Sequence, residues 1–262
     1  MNILMVGDIF GKTGREALSR WLPQVRRAYD VDMVIANGEN VTHGKGLFKR
    51  HYDELLFEGV SLVTMGNHTY AKKEIFDYID EADRLIVPAN KPRALPGVGS
   101  RAIEIKGRKV RVTNLLGLTF MSGTPQNPFE TIDDILKDDD SDIHIVDFHA
   151  EATSEKAAMG YYLDGRVSAV LGTHTHVPTN DCRLLPKGTA FQSDVGMTGP
   201  FDSAIGCDVG PIIERALKGI MTPFKVAEDE GQFCATLLRF DDASNVTGIE
   251  SITINPQRPF KM

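Results

Sequence analysis

The sequence predicts an α/β protein in which two mixed β-sheets pack together as a β-sandwich and are flanked by α-helices. In the first third of the chain, short apolar segments alternate with helical patterns, which is typical of parallel βαβ units. Two later pairs of segments alternate apolar and polar residues on either side of a turn, which predicts antiparallel hairpins. Because no linker, repeat or low-complexity segment interrupts the sequence, we predict a single domain over residues 1–262.

Three apolar segments in the first third of the chain are predicted to be buried strands. They span residues 2–6, 33–36 and 61–65, and glycine and polar residues follow each of them. Helical patterns come after the strands, at residues 14–29, 49–58 and 71–80. Pro23 is expected to kink the first of these helices or to begin a second one.

The residues at the ends of these strands have side chains that can bind or react. In open parallel sheets, functional sites lie at the carboxyl ends of the strands. The sequence therefore predicts that five strand-end residues share one rim of the sheet, namely Asp8, Glu39, Asn40, Asn67 and His68.

The topology is predicted to become mixed in the middle of the chain. Residues 85–87 form another apolar segment, and residues 102–105 and 110–113 alternate around a glycine turn as in an antiparallel hairpin. A helix is predicted over residues 127–137, with proline near its start. The acidic residues 138–140 that follow this helix are predicted to form a solvated turn.

The second half of the chain is richer in predicted strands than in helices. The strands are expected at residues 144–149, 167–171, 182–185, 190–192, 233–240 and 246–254, and the last two form a second hairpin-like pair. The first of these strands ends in His149, which adds an imidazole to the set of strand-end side chains.

A Gly-Thr-His-Thr-His segment at residues 172–176 directly follows one of these strands. In an extended chain residues i and i+2 point the same way, so His174 and His176 are predicted to converge on one point. Two neutral imidazoles at one point can bind a metal ion. The motif alone leaves open the alternative of two surface histidines on a loop.

The composition is that of an ordinary globular protein, with 42% hydrophobic and 25% charged residues. A net charge of −7 argues weakly against a non-specific nucleic-acid surface, although bound cations would reverse the sign locally. The three cysteines are widely spaced and predict neither disulfides nor a zinc ribbon. The apolar start, residues 1–6, is too short for a signal peptide, and no segment approaches the length of a membrane span. We therefore expect a soluble cytoplasmic protein.

The strand-end residues together form a mixed set of oxygen and nitrogen donors. The set comprises Asp8, Glu39, Asn40, Asn67, His149, His174 and His176. Mixed ligands of this kind suit Fe, Mn or Zn better than the all-oxygen shells that are typical of Ca or Mg. Seven donors exceed the needs of one ion but suffice for two ions about 3.5–4 Å apart, with Glu39 as the expected bridge.

These residues resemble the ordered signature blocks of the calcineurin-like metallophosphoesterases, and the whole chain resembles their bacterial YmdB-like branch. The blocks are Val6–Gly11, Asn37–Asn40, Gly66–His68, His149, Gly172–Pro178 and Asp194–Pro200. Two positions depart from the wider superfamily, because Phe10 replaces the histidine of Asp-x-His and Glu39-Asn40 replaces the carboxylates of Gly-Asp-x-x-Asp. Both departures are characteristic of the YmdB-like branch.

The resemblance implies the calcineurin-like metallophosphoesterase fold and a division of the donors between two metal ions. Asp8, Glu39, Asn40 and His176 would hold one ion, and Glu39, Asn67, His149 and His174 the other. The ions are expected to be Fe, Mn or both, with Zn or Mg as alternatives. A hydroxide bridging the two ions would attack the phosphorus atom, and His68 would act as the general acid for the leaving oxygen.

The activity implied by the resemblance is hydrolysis of phosphodiesters, with cyclic nucleotides such as 2′,3′-cyclic AMP as substrates. The same centre could instead serve a phosphomonoesterase or a nuclease, because selectivity depends on loops that no motif describes. A regulatory protein that uses its metal site to organise an RNA-binding or protein-binding surface is the alternative from another class. Regulation by RNA and assembly into a homo-oligomer both stay open.

The remaining candidate residues are expected to have structural roles. His51 and His144 are assigned to the surface or the core, and so is His43, although its glycine-rich loop makes it the main exception. Asp147 and Asp194 are expected either to contact a ligand residue or to be structural. The threonines of the Thr-His-Thr-His segment are predicted to be ordinary strand and loop residues.

Overall fold

The computed structural model describes residues 1–123, 125–219 and 223–260. In this part of the chain, thirteen strands form a seven-stranded and a six-stranded sheet. The strands are β1 (Asn2–Val6), β2 (Asp8–Ile9), β3 (Met33–Asn37), β4 (Leu62–Thr64), β5 (Ser100–Ile105), β6 (Arg108–Leu116), β7 (Ile143–His149), β8 (Ala169–Thr173), β9 (Arg183–Leu184), β10 (Ala190–Gln192), β11 (Met197–Pro200), β12 (Gly231–Phe240) and β13 (Val246–Ile254). The helices are α1 (Gly11–Ala28), α2 (Lys49–Phe57), α3 (Pro128–Lys137), α4 (Thr153–Tyr162) and α5 (Val209–Lys218), and Lys73–Asp77 forms a 3₁₀ helix.

The first sheet has the strand order β2-β11-β12-β1-β3-β4, and β13 pairs with β12. Strands β1, β3 and β4 are parallel, as the alternation of strands and helices predicted. Strand β12 pairs antiparallel with both β1 and β13, so the C-terminal hairpin completes this sheet. The sheet is therefore mixed, and its parallel half carries the first strand-end residues.

The second sheet has the strand order β5-β6-β7-β8-β10-β9. Strands β6, β7, β8 and β10 are parallel, while β5 and β9 pair antiparallel at the two edges. The predicted hairpin of residues 102–105 and 110–113 is confirmed, and its strands extend to the full lengths of β5 and β6. His149 and Thr173 lie opposite each other at the carboxyl ends of β7 and β8.

The core between the two sheets is apolar. Alternate residues of β1 show how it forms, because Ile3 and Met5 pack toward the second sheet while Leu4 and Val6 pack toward the helices of the first. Strand β1 reads as a continuous apolar segment because both of its faces are covered. Across the interface, Ile145 and other strand residues of the second sheet complete the same cluster. This packing brings the carboxyl edges of both sheets together.

Three local predictions differ from the structure, and two helices were not predicted. Pro23 does not begin a second helix, because buried Leu18, Leu22 and Val25 hold both sides of the proline against the first sheet and α1 continues through it. The predicted helix at residues 71–80 shortens to the 3₁₀ helix, and the predicted strand at 85–87 reduces to an isolated bridge at Leu85. Helices α4 and α5 were not predicted; α4 buries Lys156 beside Met159 and Gly160, so its sequence lacks a continuous apolar stripe.

The acidic turn after α3 is also not simply solvated. Asp139 accepts a hydrogen bond from Arg111 Nε at 2.7 Å and contacts His144 Nδ1 at 2.6 Å. His144 is buried, so Asp139 is its structural partner. None of the helices in the described ranges has the length and apolarity needed to span a membrane. The single domain over residues 1–262 stays a prediction.

Candidate metal centre

The predicted strand-end residues lie together where the carboxyl edges of the two sheets meet. Asp8 lies in β2, His149 is the last residue of β7, and the other donors follow β3, β4 and β8 directly. Gly66 passes closely beneath them, since a Cβ atom there would lie 2.4 Å from Glu39 Oε2 and from His149 Nε2. The lack of a side chain at this position therefore lets the two sheets approach each other.

Three of the predicted donors surround His149, which is the fourth member of their group. Its Nε2 atom lies 3.2 Å from Glu39 Oε1, 3.0 Å from Asn67 Oδ1 and 3.0 Å from His174 Nδ1. Glu39, His149 and His174 each contribute one ligand atom, and these three atoms all lie within 4.8 Å of one another. This is the geometry of side chains that could share a cation.

A second group forms around His176. Its Nε2 atom lies 3.1 Å from Asn40 Nδ2 and 3.8 Å from Asp8 Oδ1. The Asn40 amide also donates to Glu39 Oε1 over 3.3 Å, which connects the second group to the first. All seven predicted donors are thus brought together, in two groups that meet at Glu39.

The two histidines after β8 reach the site by a different route from the one predicted. The predicted extended geometry is wrong, because His174 and His176 both have positive φ angles, of 106° and 67°. The chain turns between them, and Asp194 holds the turn by accepting a hydrogen bond from Thr175 N at 3.0 Å. The same carboxylate pairs with the buried Lys156 ammonium at 2.7 Å. A turn, and not strand alternation, therefore directs each imidazole to its own group.

Each of the three imidazoles has a second partner on the nitrogen that faces away from the centre. His149 Nδ1 lies 2.9 Å from Thr173 Oγ1, which in turn donates to Asp147 Oδ1 over 2.7 Å. His174 Nε2 lies 3.1 Å from Glu151 Oε2, and His176 Nδ1 lies 2.8 Å from the carbonyl oxygen of Ile205. Partners of this kind fix the tautomer and the orientation of a metal-binding imidazole.

Burial and charge shift the pKa values of these groups in opposite directions. Burial raises the pKa of Asp8 above its usual value, although nearby imidazoles oppose the shift. Burial also favours a raised pKa for Glu39, but His149 outweighs it and holds the Glu39 pKa well below its usual range. Burial would lower the pKa of His149, yet Glu39 raises it to about 9. Burial and then His149 lower the pKa of His174 to about 3, so that this imidazole is neutral at pH 7.

The donor set fits a bound cation in most respects. Asp8 Oδ1 is fully buried and has no hydrogen-bond partner in the described part of the chain, which is costly for a carboxylate oxygen unless a cation lies nearby. Asn67 directs its oxygen at the centre. Asn40 directs its nitrogen at His176 and its oxygen at His68 Nδ1, 2.9 Å away. Asn40 could act as a ligand only after its amide rotates by half a turn.

His68 lies at the edge of the centre. Its backbone N–H donates to Glu39 Oε2 over 2.9 Å, and its ring contacts Asn40 through Nδ1. The side chain is 28% exposed, whereas that of His149 is fully buried. His68 is therefore fixed at the centre but still open to a molecule that approaches from solvent.

The other candidate residues take the following places. His144 is buried in the contact with Asp139, and His51 is buried with its Nδ1 atom 2.8 Å from Thr42 Oγ1, as a structural role predicts. His43 is exposed, with its ring near that of Phe48. The prediction for Thr173 is wrong, because this residue connects His149 to Asp147.

Sequence reasoning did not identify Glu151, Lys156 or the Ile205 carbonyl as supports of the centre. Glu151 and Lys156 carry no motif, and each meets its partner only through packing of α4 and its preceding loop against β8. The partner of His149 could have been found only from the strand register, which sets Thr173 opposite it.

A family model described as YmdB-like protein matches residues 4–252. The chain is 43% identical over 263 residues to a 2′,3′-cyclic-nucleotide 2′-phosphodiesterase of Bacillus subtilis (strain 168), covering 99% of both chains. It also resembles the crystal structure of a novel phosphatase from Mycoplasma pneumoniae, with a TM-score of 0.93, 38% identity and coverage of 98% of this chain and 95% of that one.

A more distant similarity extends to a 5′-nucleotidase precursor from Thermus thermophilus. The TM-score is 0.57 and the identity is 11%, with coverage of 97% of this chain and 54% of the other. This similarity concerns the fold alone, and it agrees with the predicted calcineurin-like metallophosphoesterase architecture of two packed sheets flanked by helices.

Proposed function

This chain belongs to the YmdB-like protein family and is a metallophosphoesterase, and we propose that it hydrolyses 2′,3′-cyclic nucleotides such as 2′,3′-cyclic AMP at a dinuclear metal centre. The observation that carries the proposal is the meeting of two donor groups at Glu39, one around His149 and one around His176. The activity for which the Bacillus subtilis relative is named supports the choice of cyclic nucleotides over other phosphodiesters.

The two groups correspond to two metal ions. Asp8, Glu39, Asn40 and His176 would hold one ion, and Glu39, Asn67, His149 and His174 would hold the other. A pair of divalent cations would supply a bridging hydroxide near neutral pH and positive charge for the phosphoryl oxygens. The mixed oxygen and nitrogen donors favour Fe or Mn, and Zn and Mg are the alternatives.

The protein's own contribution begins with the orientation of the imidazoles. The contacts on their outer nitrogens leave His149 Nε2, His174 Nδ1 and His176 Nε2 facing the centre. Rotation of the Asn40 amide would turn its oxygen toward His176 and its nitrogen toward His68 Nδ1. In that arrangement Glu39 Oε1, 3.4 Å from His68 Nδ1, is the acceptor for the Nδ1 proton, and Nε2 carries the second proton of the imidazolium.

His68 acts as the general acid in this proposal. The oxygen that leaves phosphorus needs a proton, and a positioned imidazole contributes roughly 10²–10⁴-fold to such a step. Because Nδ1 faces Asn40 and Glu39, it keeps its proton, and the imidazolium donates the other proton from Nε2 and becomes a neutral imidazole. The partial exposure of His68 leaves room for the ribose to which the leaving oxygen belongs.

The test is hydrolysis of a panel of cyclic nucleotides, linear diesters and phosphomonoesters by the purified protein. The protein is stripped of metal and assayed again after Mn or Fe is added. Metal-dependent turnover with a preference for 2′,3′-cyclic diesters is expected. A preference for monoesters would make the protein a phosphomonoesterase, and cleavage of linear diesters would make it a nuclease. Full occupancy by two metals without any turnover would favour the regulatory binding function.

We also propose a cytoplasmic location. The three cysteines, Cys182, Cys207 and Cys234, are all free thiols. Burial raises the pKa of Cys234 to about 12, which keeps this thiol protonated and unreactive. Unpaired cysteines are typical of proteins in a reducing compartment. Fractionation of cells that produce the protein at its natural level tests this location.

A further inference from the structure

A cationic surface lies beside the candidate centre, around the ring of Phe48. The Arg50 guanidinium lies 5.2 Å from the ring centroid, and the Lys72 ammonium lies 5.8 Å from it. The His43 ring approaches the same ring edge-on at 6.4 Å, and Lys45 is exposed in the adjoining loop. We call His43, Lys45, Phe48, Arg50 and Lys72 the Phe48 patch.

The cations of the Phe48 patch form no close ion pairs within the described part of the chain. In the described ranges, no carboxylate forms an ion pair with Lys45, Arg50 or Lys72 within 4.0 Å, whereas neighbouring Lys49 pairs with Asp53. Helix α2 also begins with two cations and has no acidic residue of its own in its first turn, where Glu74 Oε1 accepts a hydrogen bond from Lys49 N at 2.8 Å. Cations at this end are unfavourable for the helix dipole. In a chain of net charge −7, this concentration of positive charge is complementary to an anionic partner.

Two segments of the chain connect the patch with the centre. The loop that carries His43 and Lys45 begins directly after Asn40. Lys72 follows His68 by four residues, which limits the distance between their Cα atoms to roughly 13 Å. The two segments touch, because a Cβ atom on Gly46 would lie 2.6 Å from Lys72 Cγ. The patch therefore adjoins the two segments that carry Asn40 and His68.

We propose that the enzyme acts on RNA strands that end in a 2′,3′-cyclic phosphate, and that the Phe48 patch binds the phosphates upstream of that end. This inference rests on the proposed function and names its substrate class. In a 2′,3′-cyclic phosphate both ester oxygens belong to one ribose. The oxygen protonated by His68 is therefore a ribose oxygen, so the ribose and the chain attached to its 5′ oxygen extend from the His68 side of the centre, toward the patch.

The reaction at the RNA end is a hydrolysis without other reactants. The oxygen of a water molecule bonds to phosphorus, and one phosphorus–oxygen bond to the ribose breaks. The ribose oxygen takes its proton from His68, and a proton of the attacking water restores the acid through solvent. The product is an RNA strand that ends in a phosphomonoester and a free hydroxyl group. The patch binds the adjacent phosphodiesters and takes no part in the bond changes.

The test compares 2′,3′-cyclic AMP with an adenosine trinucleotide that ends in a 2′,3′-cyclic phosphate, using the metal-loaded protein. We expect kcat/KM to be about tenfold higher for the trinucleotide, a ratio that corresponds to 1.4 kcal/mol of binding. The KM of the trinucleotide should also rise more steeply with salt, by a slope of roughly 0.7 for each neutralised phosphate. The triple variant Lys45→Ala, Arg50→Ala, Lys72→Ala should lose most of this preference.

A matched control removes three exposed cations at the opposite ends of the strands. This triple variant is Arg27→Ala, Lys137→Ala, Lys187→Ala, and it changes the net charge by the same amount. It should keep the preference for the trinucleotide. Single Lys72→Arg should keep it as well, because the charge is retained. Thermal melting of all variants identifies any loss of folding.

Failure of this inference and failure of the proposed function give different results. If wild-type protein hydrolyses 2′,3′-cyclic AMP but does not prefer the trinucleotide, the inference is overturned and the proposed function stands. The same holds if the patch variant and the control variant lose the preference equally. If the metal-loaded protein hydrolyses neither substrate, the proposed function fails and takes the inference with it.

Discussion

The two sheets contribute different chemistry to the candidate centre. The strand ends of the first sheet present oxygen donors, Asp8, Glu39, Asn40 and Asn67, whereas those of the second sheet present the imidazoles of His149, His174 and His176. We refer to these as the oxygen half and the imidazole half. Neither half alone provides two complete ligand sets, so the site exists only where the sheets meet.

The two halves are supported in different ways. The oxygen half is held largely by its own backbone turns, since Asn37 accepts from Glu39 N at 3.1 Å and donates to Met65 O at 3.1 Å. The imidazole half needs partners on its outer nitrogens, such as Thr173 and Glu151. A carboxylate can bind a cation through either oxygen, but an imidazole must have the correct nitrogen free of its proton. Imidazole ligands therefore require more surrounding structure than carboxylate ligands do.

The largest expected effect comes from the residue at which the two groups meet. Glu39→Gln should release metal from both groups and lower kcat/KM by at least about 10⁴-fold, because charge stabilisation and nucleophile generation are lost together. Elemental analysis and kinetics measure the two effects. Glu250→Gln, which breaks an exposed pair with Arg239, is the control. Two metals retained by Glu39→Gln would contradict the bridging role.

A second prediction separates ligands from the general acid. Asp8→Ala in the oxygen half and His174→Ala in the imidazole half should lower metal content and activity together. His68→Ala should lower kcat by roughly 10²–10⁴-fold while both metals remain, because it removes only proton donation. Metal content and kcat measured on the same preparations give the answer. Equal loss of metal in all three variants would show that this division of roles is wrong.

A third prediction tests the support of the imidazole half. Thr173→Val removes the hydrogen bond to His149 and should weaken metal binding about 10–100-fold. Glu151→Gln should lie near the lower end of that range, because the Glu151 carboxylate is half exposed. Competition with a chelator measures the affinity. Glu155→Gln is the control, since that carboxylate accepts hydrogen bonds from Leu118 N and Thr119 N and contacts no imidazole among the described residues.

The smallest expected effect concerns β7, which carries the structural His144 near its start and the candidate ligand His149 at its end. Asp139→Asn should cost about 1–3 kcal/mol of stability, the penalty for a weakened buried hydrogen bond, without changing metal content. Burial opposes ionisation of Asp139, but hydrogen bonds from His144, Arg111 and Ser141 hold its pKa well below the usual value. Denaturant unfolding at pH 7 measures the loss.

The sign of the pH dependence follows from that lowered pKa. The folded protein binds the Asp139 proton more weakly than the unfolded chain, so the stabilisation is complete above about pH 4 and declines as pH falls through the folded pKa. The difference in stability between wild type and Asp139→Asn should therefore shrink below about pH 4. A difference that stays constant down to about pH 2 would show that the Asp139 charge does not stabilise the fold.

Much of the architecture could be predicted from the sequence. Strands β1, β3 and β4 are largely apolar because helices and the second sheet cover both faces, and such segments are easy to identify. The seven donors could be predicted as one set because each lies at the end of a strand or shortly after it, and parallel strands end at one edge of the sheet. Prediction was weaker where a buried charge replaces an apolar residue, as Lys156 does in α4.

The alternation of strands and helices, the family and the set of candidate donors could therefore be predicted from the residues alone, since these features depend on local periodicity and on residues in fixed order. Only the tertiary structure decided which nitrogen of each imidazole faces the centre and how residues 173–177 turn. It also decided that the lysines and the arginine around Phe48 meet beside His68. The physical reason is that Glu151, Asp194, Ile205 and Lys72 are brought to their partners by packing between distant segments, and no local pattern records such contacts.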